Sequence, residues 1–248
     1  MKPPQLLIIN PNTSAGITAL LHHNAQRLAG PSATVRAVTA RFGAPYIACE
    51  ASSAVAAHAT LDAWAAALVS DLPAPDTVLI GCFGDPGLLA LRETSAVPVT
   101  GLAEAAFIDA ARHGRFAIVT GGARWQPMLQ RLANELGFAQ ALAGIHTVSE
   151  TGAWLAAHPL EAQGLLADAC SQAVRRFGAQ AVIVGGAGLA GMTALMAGRV
   201  EVPLIDSVQA GVRQALARVG TPGKGNGRFD VSWQNVSVEL AAQGRAGS

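Results

Sequence analysis

Short apolar runs rich in β-branched residues alternate along this chain with stretches whose apolar residues return every three to four positions. Glycine, proline or asparagine stands at most of the changeovers. The first run, Gln5 to Ile9, reads as a strand entering the polar loop Asn10-Pro-Asn-Thr-Ser14. Thr13 or Ser14 can cap the helix that follows, with Ile17, Leu20, Leu21 and Leu28 at helical spacing and Gly30-Pro31 closing it. Thr34 to Thr39 alternates as a strand does, and the alanine-rich Ser52 to Ser70 favours a helix. Thr77 to Ile80 is a buried strand by its β-branched content, Val97 to Thr100 a short strand, and Leu102 to Arg112 a helix. Further on, Phe116 to Gly122 is a strand breaking into a loop, and Leu129, Leu132 and Leu136 mark a helix stopped by Gly137.

The second half repeats the first in order. Phe116-Ala-Ile-Val-Thr-Gly-Gly122 aligns with Leu6-Leu-Ile-Ile-Asn-Pro-Asn12, and Val182 to Gly191 with Val78 to Gly87. Val202-Pro-Leu-Ile205 aligns with Val97-Pro-Val-Thr100, and the three offsets are 110, 104 and 105 residues. Three pieces in order at nearly constant offset argue for a duplicated strand–helix unit, with two ordinary strand–helix runs in one sheet as the alternative. The fold class expected is α/β, with two pseudo-symmetric lobes, each a parallel-sheet sandwich. If the lobes face each other, Asn10 to Ser14 and Cys82 to Asp85 meet Thr120 to Gly122 and Gly186 to Gly188 in one cleft.

Cys82 stands at the best-placed point in this pattern. It follows a buried strand, lies between Gly81 and Gly84, and precedes Asp85-Pro86, which reads as the N-cap and first residue of a helix carrying Leu88, Leu89 and Leu91. A thiol beside a helix N-terminus has its pKa lowered, because aligned N–H groups favour the thiolate. The competing reading is a small buried hydrophobe ending a strand. The flanking glycines open backbone space around the sulfur and favour function, so Cys82 is expected to alkylate ahead of Cys49, in a loop, and Cys170, in mid-helix, both read as packing residues.

Composition narrows the classes. Half of the 248 residues are apolar (51%) and 13% are charged, enough for a sizeable core and too little charge for disorder. A net charge of +1 without a basic cluster speaks against nucleic acid or an anionic membrane as partner. Three scattered cysteines form neither a CxxC pair nor a disulfide framework, which suggests a reducing, cytoplasmic compartment. The apolar run Leu6 to Ile9 is too short for a signal or a membrane span. His58 and Asp62 lie four apart and could pair on a helix surface. No paired-histidine or carboxylate pattern suggests a metal, no serine elbow is present, and the glycine-rich Gly185 to Gly191 lacks dinucleotide-binding register.

Ile9-Asn-Pro-Asn-Thr13, Gly81-Cys-Phe-Gly-Asp-Pro-Gly-Leu88, Gly185-Gly-Ala-Gly-Leu-Ala190 and Val202-Pro-Leu-Ile-Asp206 together resemble the aspartate/glutamate racemase superfamily, in its hydantoin/allantoin racemase branch. The resemblance covers about residues 5 to 218. It implies two lobes, 1–100 with a returning C-terminal helix at 206–220 and 101–205. Residues 221–248 are left as a glycine-rich tail with a β-like patch at Val231 to Val238. It also implies a small-molecule substrate between the lobes, no cofactor, and two opposed cysteines exchanging a proton at a carbon beside a carbonyl or carboxylate. Homo-oligomerisation is left open. On this basis Cys82 is the catalytic thiolate. Asn10 and Thr13 would orient the substrate's polar end. The N–H groups of Phe83 and Gly84, of Thr120, Gly121 and Gly122, and of Ala187 and Gly188 would hold the developing enolate charge.

At the second cysteine's position this chain carries Gly186, which has no proton to give. His146 is a candidate replacement acid, or else a half-buried histidine with one hydrogen bond. Three functions follow: a racemase for an amino acid or hydantoin derivative, a single-cysteine lyase such as an arylmalonate-type decarboxylase, or a non-catalytic small-molecule binding homologue.

Overall fold

The structure is a computed structural model describing residues 2–244. Its strands are Gln5–Asn10 (β1), Thr34–Thr39 (β2), Thr77–Ile80 (β3), Val99–Gly101 (β4), Phe116–Gly121 (β5), Leu142–Val148 (β6), Ala181–Val184 (β7) and Leu204–Asp206 (β8). The helices are Ala15–Ala29 (α1), Glu50–Leu68 (α2), Leu88–Thr94 (α3), Leu102–Ala111 (α4), Trp125–Glu135 (α5), Gly152–Ala157 (α6), Pro159–Phe177 (α7), Met192–Leu195 (α8), Ser207–Ala217 (α9) and Val238–Ala242 (α10). The strands make two four-stranded, wholly parallel sheets of identical order, β2-β1-β3-β4 and β6-β5-β7-β8. The fold is α/β with two pseudo-symmetric lobes.

The central strands β1, β3, β5 and β7 are apolar over most of their length because both their faces are covered, as parallel sheets require. Leu6 and Ile8 face inward and Leu7 and Ile9 outward, against Trp64 of α2 and Leu88 and Leu91 of α3. In the other sheet Phe116, Ile118 and Ile183 face inward, while Ala117, Val119, Val182 and Val184 meet α7. The inner faces of both sheets share one apolar cluster, filled by α1, α4, α5 and α9. The helix ending each half crosses to the other: α4 follows β4 yet packs on β7 and β8, and α9 follows β8 yet packs on β3 and β4. Gly211 makes this approach possible, since a Cβ there would lie 2.7 Å from Leu102 and 3.0 Å from Leu79.

Ser14 caps α1, its Oγ accepting from Ile17 N–H. Asp85, expected to cap the helix directly after it, does something else. It takes a left-handed backbone (φ 48°), and Gly87 stands at the N-cap of α3. The Asp85 carboxylate instead accepts from Ala103 N–H (2.9 Å) and Glu104 N–H (2.8 Å), capping α4 from another loop. Space for it exists because Gly101 has no side chain; a Cβ there would run into the carboxylate. In the second half the roles are exchanged. Asp206, at the position matching Gly101, caps its own α9 through Val208 and Gln209 N–H and also accepts from Gly191 N–H (2.7 Å).

Two further expectations are corrected here. Asp62 pairs with Arg41 (2.7 and 2.8 Å), and His58 lies edge-on to Phe42 instead of pairing with Asp62. The C-terminal segment is a packed strap. Gly223, Gly225 and Gly227 N–H bond the carbonyls of Ala96, Ser95 and Thr94, and Phe229 and Leu240 bury against Ala65 of α2. Val231 to Val238 forms no strand, and the chain turns into α10 because Ser237 caps it. Residues 245–248 lie outside the described ones.

Burial raises the Asp85 carboxyl from 3.8 to about 7, the two N–H bonds opposing this only in part. The folded chain then holds a proton that the unfolded chain has released, so the stability from protonated Asp85 is complete below about pH 4 and is lost as pH rises toward 7. Urea unfolding of wild type and Asp85→Asn between about pH 4.5 and 6.5 should show wild type losing about 1.4 kcal/mol per pH unit relative to the variant. A flat or rising difference would contradict the assignment.

Candidate active site

The C-terminal ends of both sheets open on one cavity of about 470 Å³. Asn12 and Ser14 reach it from the loop after β1, and Gly81, Cys82 and Phe83 from the loop after β3. Thr120 and Gly121 of β5 and Gly185 to Gly188 after β7 form the opposite wall. Ile17 and Leu20 of α1, Tyr46 and Ile47 of the β2–α2 loop, Trp125 of α5, and Ala153 and Ala156 of α6 complete it. Among the described residues that line it, none is Asp, Glu, Lys, Arg or His.

Cys82 and Gly186, 104 positions apart in the chain, thus share one cleft. Cys82 is 7% exposed, and burial pushes its thiol pKa well above the ordinary range, with the negative charge of Asp85 adding to the effect. This reverses the expected depression. The short helix α3 begins only at Leu88, so its N–H groups do not surround the sulfur. The Cys82 carbonyl accepts from Gly84 N–H (3.0 Å) and Asp85 N–H (3.1 Å), which folds the loop tightly and places Cys82 at its tip. Phe83 spans the cleft. Its ring fills the space a Cβ on Gly185 would need, and it meets Phe107 edge-on at 6.2 Å. Thr120 Oγ1 donates to the Gly185 carbonyl (2.7 Å) and ties the second wall together.

Not every expected contact reaches the cavity. Asn10 is fully buried, its Nδ2 donating to Asn12 Oδ1 (3.0 Å), Thr18 Oγ1 (3.0 Å) and the Ser14 carbonyl (3.1 Å). It shapes the loop, and Asn12 is the residue presented to the cavity. Thr13 donates its N–H to the Ala44 carbonyl (3.1 Å) and does not line the site. The N–H groups of Gly84, Gly122 and Gly186 are committed, to the carbonyls of Cys82 and Val148 and to Ser207 Oγ. Gly84 also faces a separate, smaller cavity beside Trp125. Gly186 itself sits at φ 148°, a backbone region L side chains rarely adopt, so the loop is shaped around glycine. His146 lies half-buried on the edge strand β6 opposite Val119 and does not line the cavity.

The β2–α2 loop and α6 carried no hydrophobic period, and sequence reasoning missed their residues. The signal available was small: Tyr46 is the only tyrosine of the chain. From the first lobe it crosses to the second, its hydroxyl donating to the Gly121 carbonyl at 3.5 Å. Among the described residues no group of three or more His, Cys, Asp or Glu could hold a metal ion, and no helix is long and apolar enough to cross a membrane.

Comparison with known proteins gives a consistent picture. Residues 6–215 match the family model described as Asp/Glu/hydantoin racemase. The chain is 31% identical to a hydantoin racemase of Paenarthrobacter aurescens over 218 residues, 87% of this chain and 91% of that protein. It superposes on an allantoin racemase from Klebsiella pneumoniae with a TM-score of 0.82 at 32% identity, covering 96% of this chain and 93% of that one. A crystal structure of arylmalonate decarboxylase shares the fold alone, with a TM-score of 0.62 at 18% identity over 90% of this chain and 98% of that one.

The three thiols differ in a way alkylation can read. Cys49 is half-exposed at the N-cap of α2, and its thiol is lowered chiefly by the Ser52 hydroxyl, then by Ser52 N–H. Cys170 is fully buried against Leu166 and Val182, and burial pushes its thiol up to about 12. In the ligand-free protein iodoacetamide should therefore label Cys49 first, with Cys82 and Cys170 protected, the reverse of the order expected from sequence. Mass mapping after partial labelling at neutral pH checks this, and early modification of Cys82 would show the site to be more open than described.

Proposed function

The chain belongs to the Asp/Glu/hydantoin racemase family and is an isomerase; within that family we propose that it racemises a neutral hydantoin-type ring, cofactor-independently, with Cys82 moving the proton. The observation that supports this most is the cavity itself: a strand-end thiol faces the opposing lobe across a site lined by no charged side chain. A free amino acid brings a carboxylate and an ammonium, and a malonate two carboxylates. Each loses hydration on entry, and no ionised side chain in this wall would compensate. A hydantoin ring carries amide N–H and C=O groups that Asn12, Ser14 and Thr120 can satisfy. Its substituent fits against Ile17, Leu20, Ile47 and Ala156.

In this reading residues 1–100 with 206–220 and residues 101–205 work as two jaws. The Cys82 thiolate takes the proton from the ring carbon beside the carbonyl. The C–H electrons pass into that carbonyl as an enolate, and a proton returned to the other face completes inversion. Asn12 takes the orienting role expected of Asn10. Of the backbone donors expected to meet the enolate, those of Phe83, Thr120, Gly121, Ala187 and Gly188 lie in segments that line the cavity. The single-cysteine lyase gains support from Gly186 but not from the uncharged wall.

Proton NMR in D₂O across a small panel of hydantoins, amino acids and an arylmalonate tests both substrate class and thiol. Exchange should appear with hydantoins alone, and Cys82→Ser should slow it by about 10²–10⁴-fold. Decarboxylation of the malonate with inert hydantoins would favour the lyase. Because burial raises the Cys82 thiol, the exchange rate should keep climbing above about pH 8.5, where an ordinary thiol levels off. A plateau below that value would contradict a buried thiolate base.

A further inference from the structure

Inversion needs two proton-transfer groups on opposite faces of the carbon, and Gly186 supplies none. We propose that Tyr46 is the second catalytic residue, protonating or deprotonating the stereocentre on the face opposite Cys82. The inference rests on the racemase reading above with Cys82 as first base.

The inventory of the wall narrows the choice. Among the described lining residues there is no His, Asp, Glu or Lys, and by residue type Cys82 and Tyr46 carry the most acidic side-chain protons. Ser14 and Thr120 carry aliphatic hydroxyls, which are far weaker acids, and Thr120 already donates to the Gly185 carbonyl. Position is the second argument. Cys82 lies in the loop after β3 of the first sheet, whereas the Tyr46 hydroxyl reaches the Gly121 carbonyl at the end of β5 in the second. A Cβ on Gly122 would lie 3.3 Å from that hydroxyl, and one on Gly152 would lie 3.8 Å from the ring. The phenol therefore stands on the far wall although its backbone belongs to the near loop. At 3.5 Å its bond to Gly121 is at the long limit, which leaves the proton free to be redirected to a substrate.

The steps balance. From one enantiomer the Cys82 thiolate removes the ring proton, the enolate forms, and the Tyr46 O–H bond breaks to deliver its proton to the opposite face. This leaves a Cys82 thiol and a Tyr46 phenolate, which solvent restores to thiolate and phenol. The other enantiomer runs the same sequence backward.

Optical rotation and deuterium uptake, followed together on one 5-substituted hydantoin, separate the roles. Tyr46→Phe should lose inversion by about 10²–10⁴-fold while keeping same-face exchange of the one enantiomer that Cys82 deprotonates. Inversion surviving within a few-fold, or exchange and inversion falling together, overturns the proposal. Cys82→Ser tests the underlying reading separately, since it should slow exchange of that enantiomer by about 10²–10⁴-fold whether or not Tyr46 takes part. Because the chain has one tyrosine, growth on 3-fluorotyrosine replaces residue 46 alone and keeps ring and hydroxyl in place if the phenylalanine variant misfolds. The pH profile of inversion for the enantiomer deprotonated by Cys82 should then move to lower pH, because the fluorinated phenol loses its proton sooner. A profile that moves on neither limb overturns the proposal.

Discussion

Everything at the cleft depends on one shared apolar core. The inner faces of the two parallel sheets are closed in common, as α4 and α9 reach across to the opposite sheet and pack on each other between them. Gly211 leaves room there for the side chains of Leu102 and Leu79, which a Cβ would meet. The burial is large, with Phe107, Phe116, Leu102 and Ile118 all sealed from solvent. Once this core is packed, the two sets of strand ends can only face each other, and the loops after β1, β3, β5 and β7 form one site.

The electrostatics of the site follow from the same packing. Asp85 and Asp206 tie the switched helices to the loops flanking the cavity, one from the loop after β3 and the other from the N-cap of α9. Duplicated halves have thus put a carboxylate at equivalent helix ends from different chain positions, with Gly101 empty where Asp206 stands. Beside Asp85, the bidentate pair of Arg92 with Glu104 (2.9 and 2.7 Å) keeps charge behind the site and out of the cavity. The result is a cleft whose wall is neutral while burial, and after it the charge of Asp85, raises the thiol. A buried thiol in such a place is a poor nucleophile toward solvent reagents. As a thiolate it is a strong base toward a bound carbon acid, which is the property a racemase uses.

Much of this was legible in the residues. Strand runs bounded by glycine and proline placed β1 and β3 almost to the residue, and the 104- to 110-residue repeat announced two equivalent halves. Both features are local or periodic, and a chain can carry them without knowing its partners. The cleft position of Cys82 and Gly186 was read in the same way, from strand ends. What misled were side chains whose partners are distant in sequence. Asp85 looked like the cap of the next helix and caps α4 across the lobe. Asn10 looked like a substrate ligand and is consumed inside its own loop, leaving Asn12 at the surface of the cavity.

By itself, then, the sequence determined the strand–helix order, the duplication, the family and the thiol at the end of β3, because each is written in neighbouring residues or in repetition. Tertiary structure alone decided which groups the cavity sees. It set the thiol's pKa upward instead of downward, because burial outweighs a helix terminus that lies too far along the chain. It also brought Tyr46, in a loop with no period to mark it, against the far wall. Proton affinity and facing depend on what is packed around a group, and that is settled only when both sheets close on their common core.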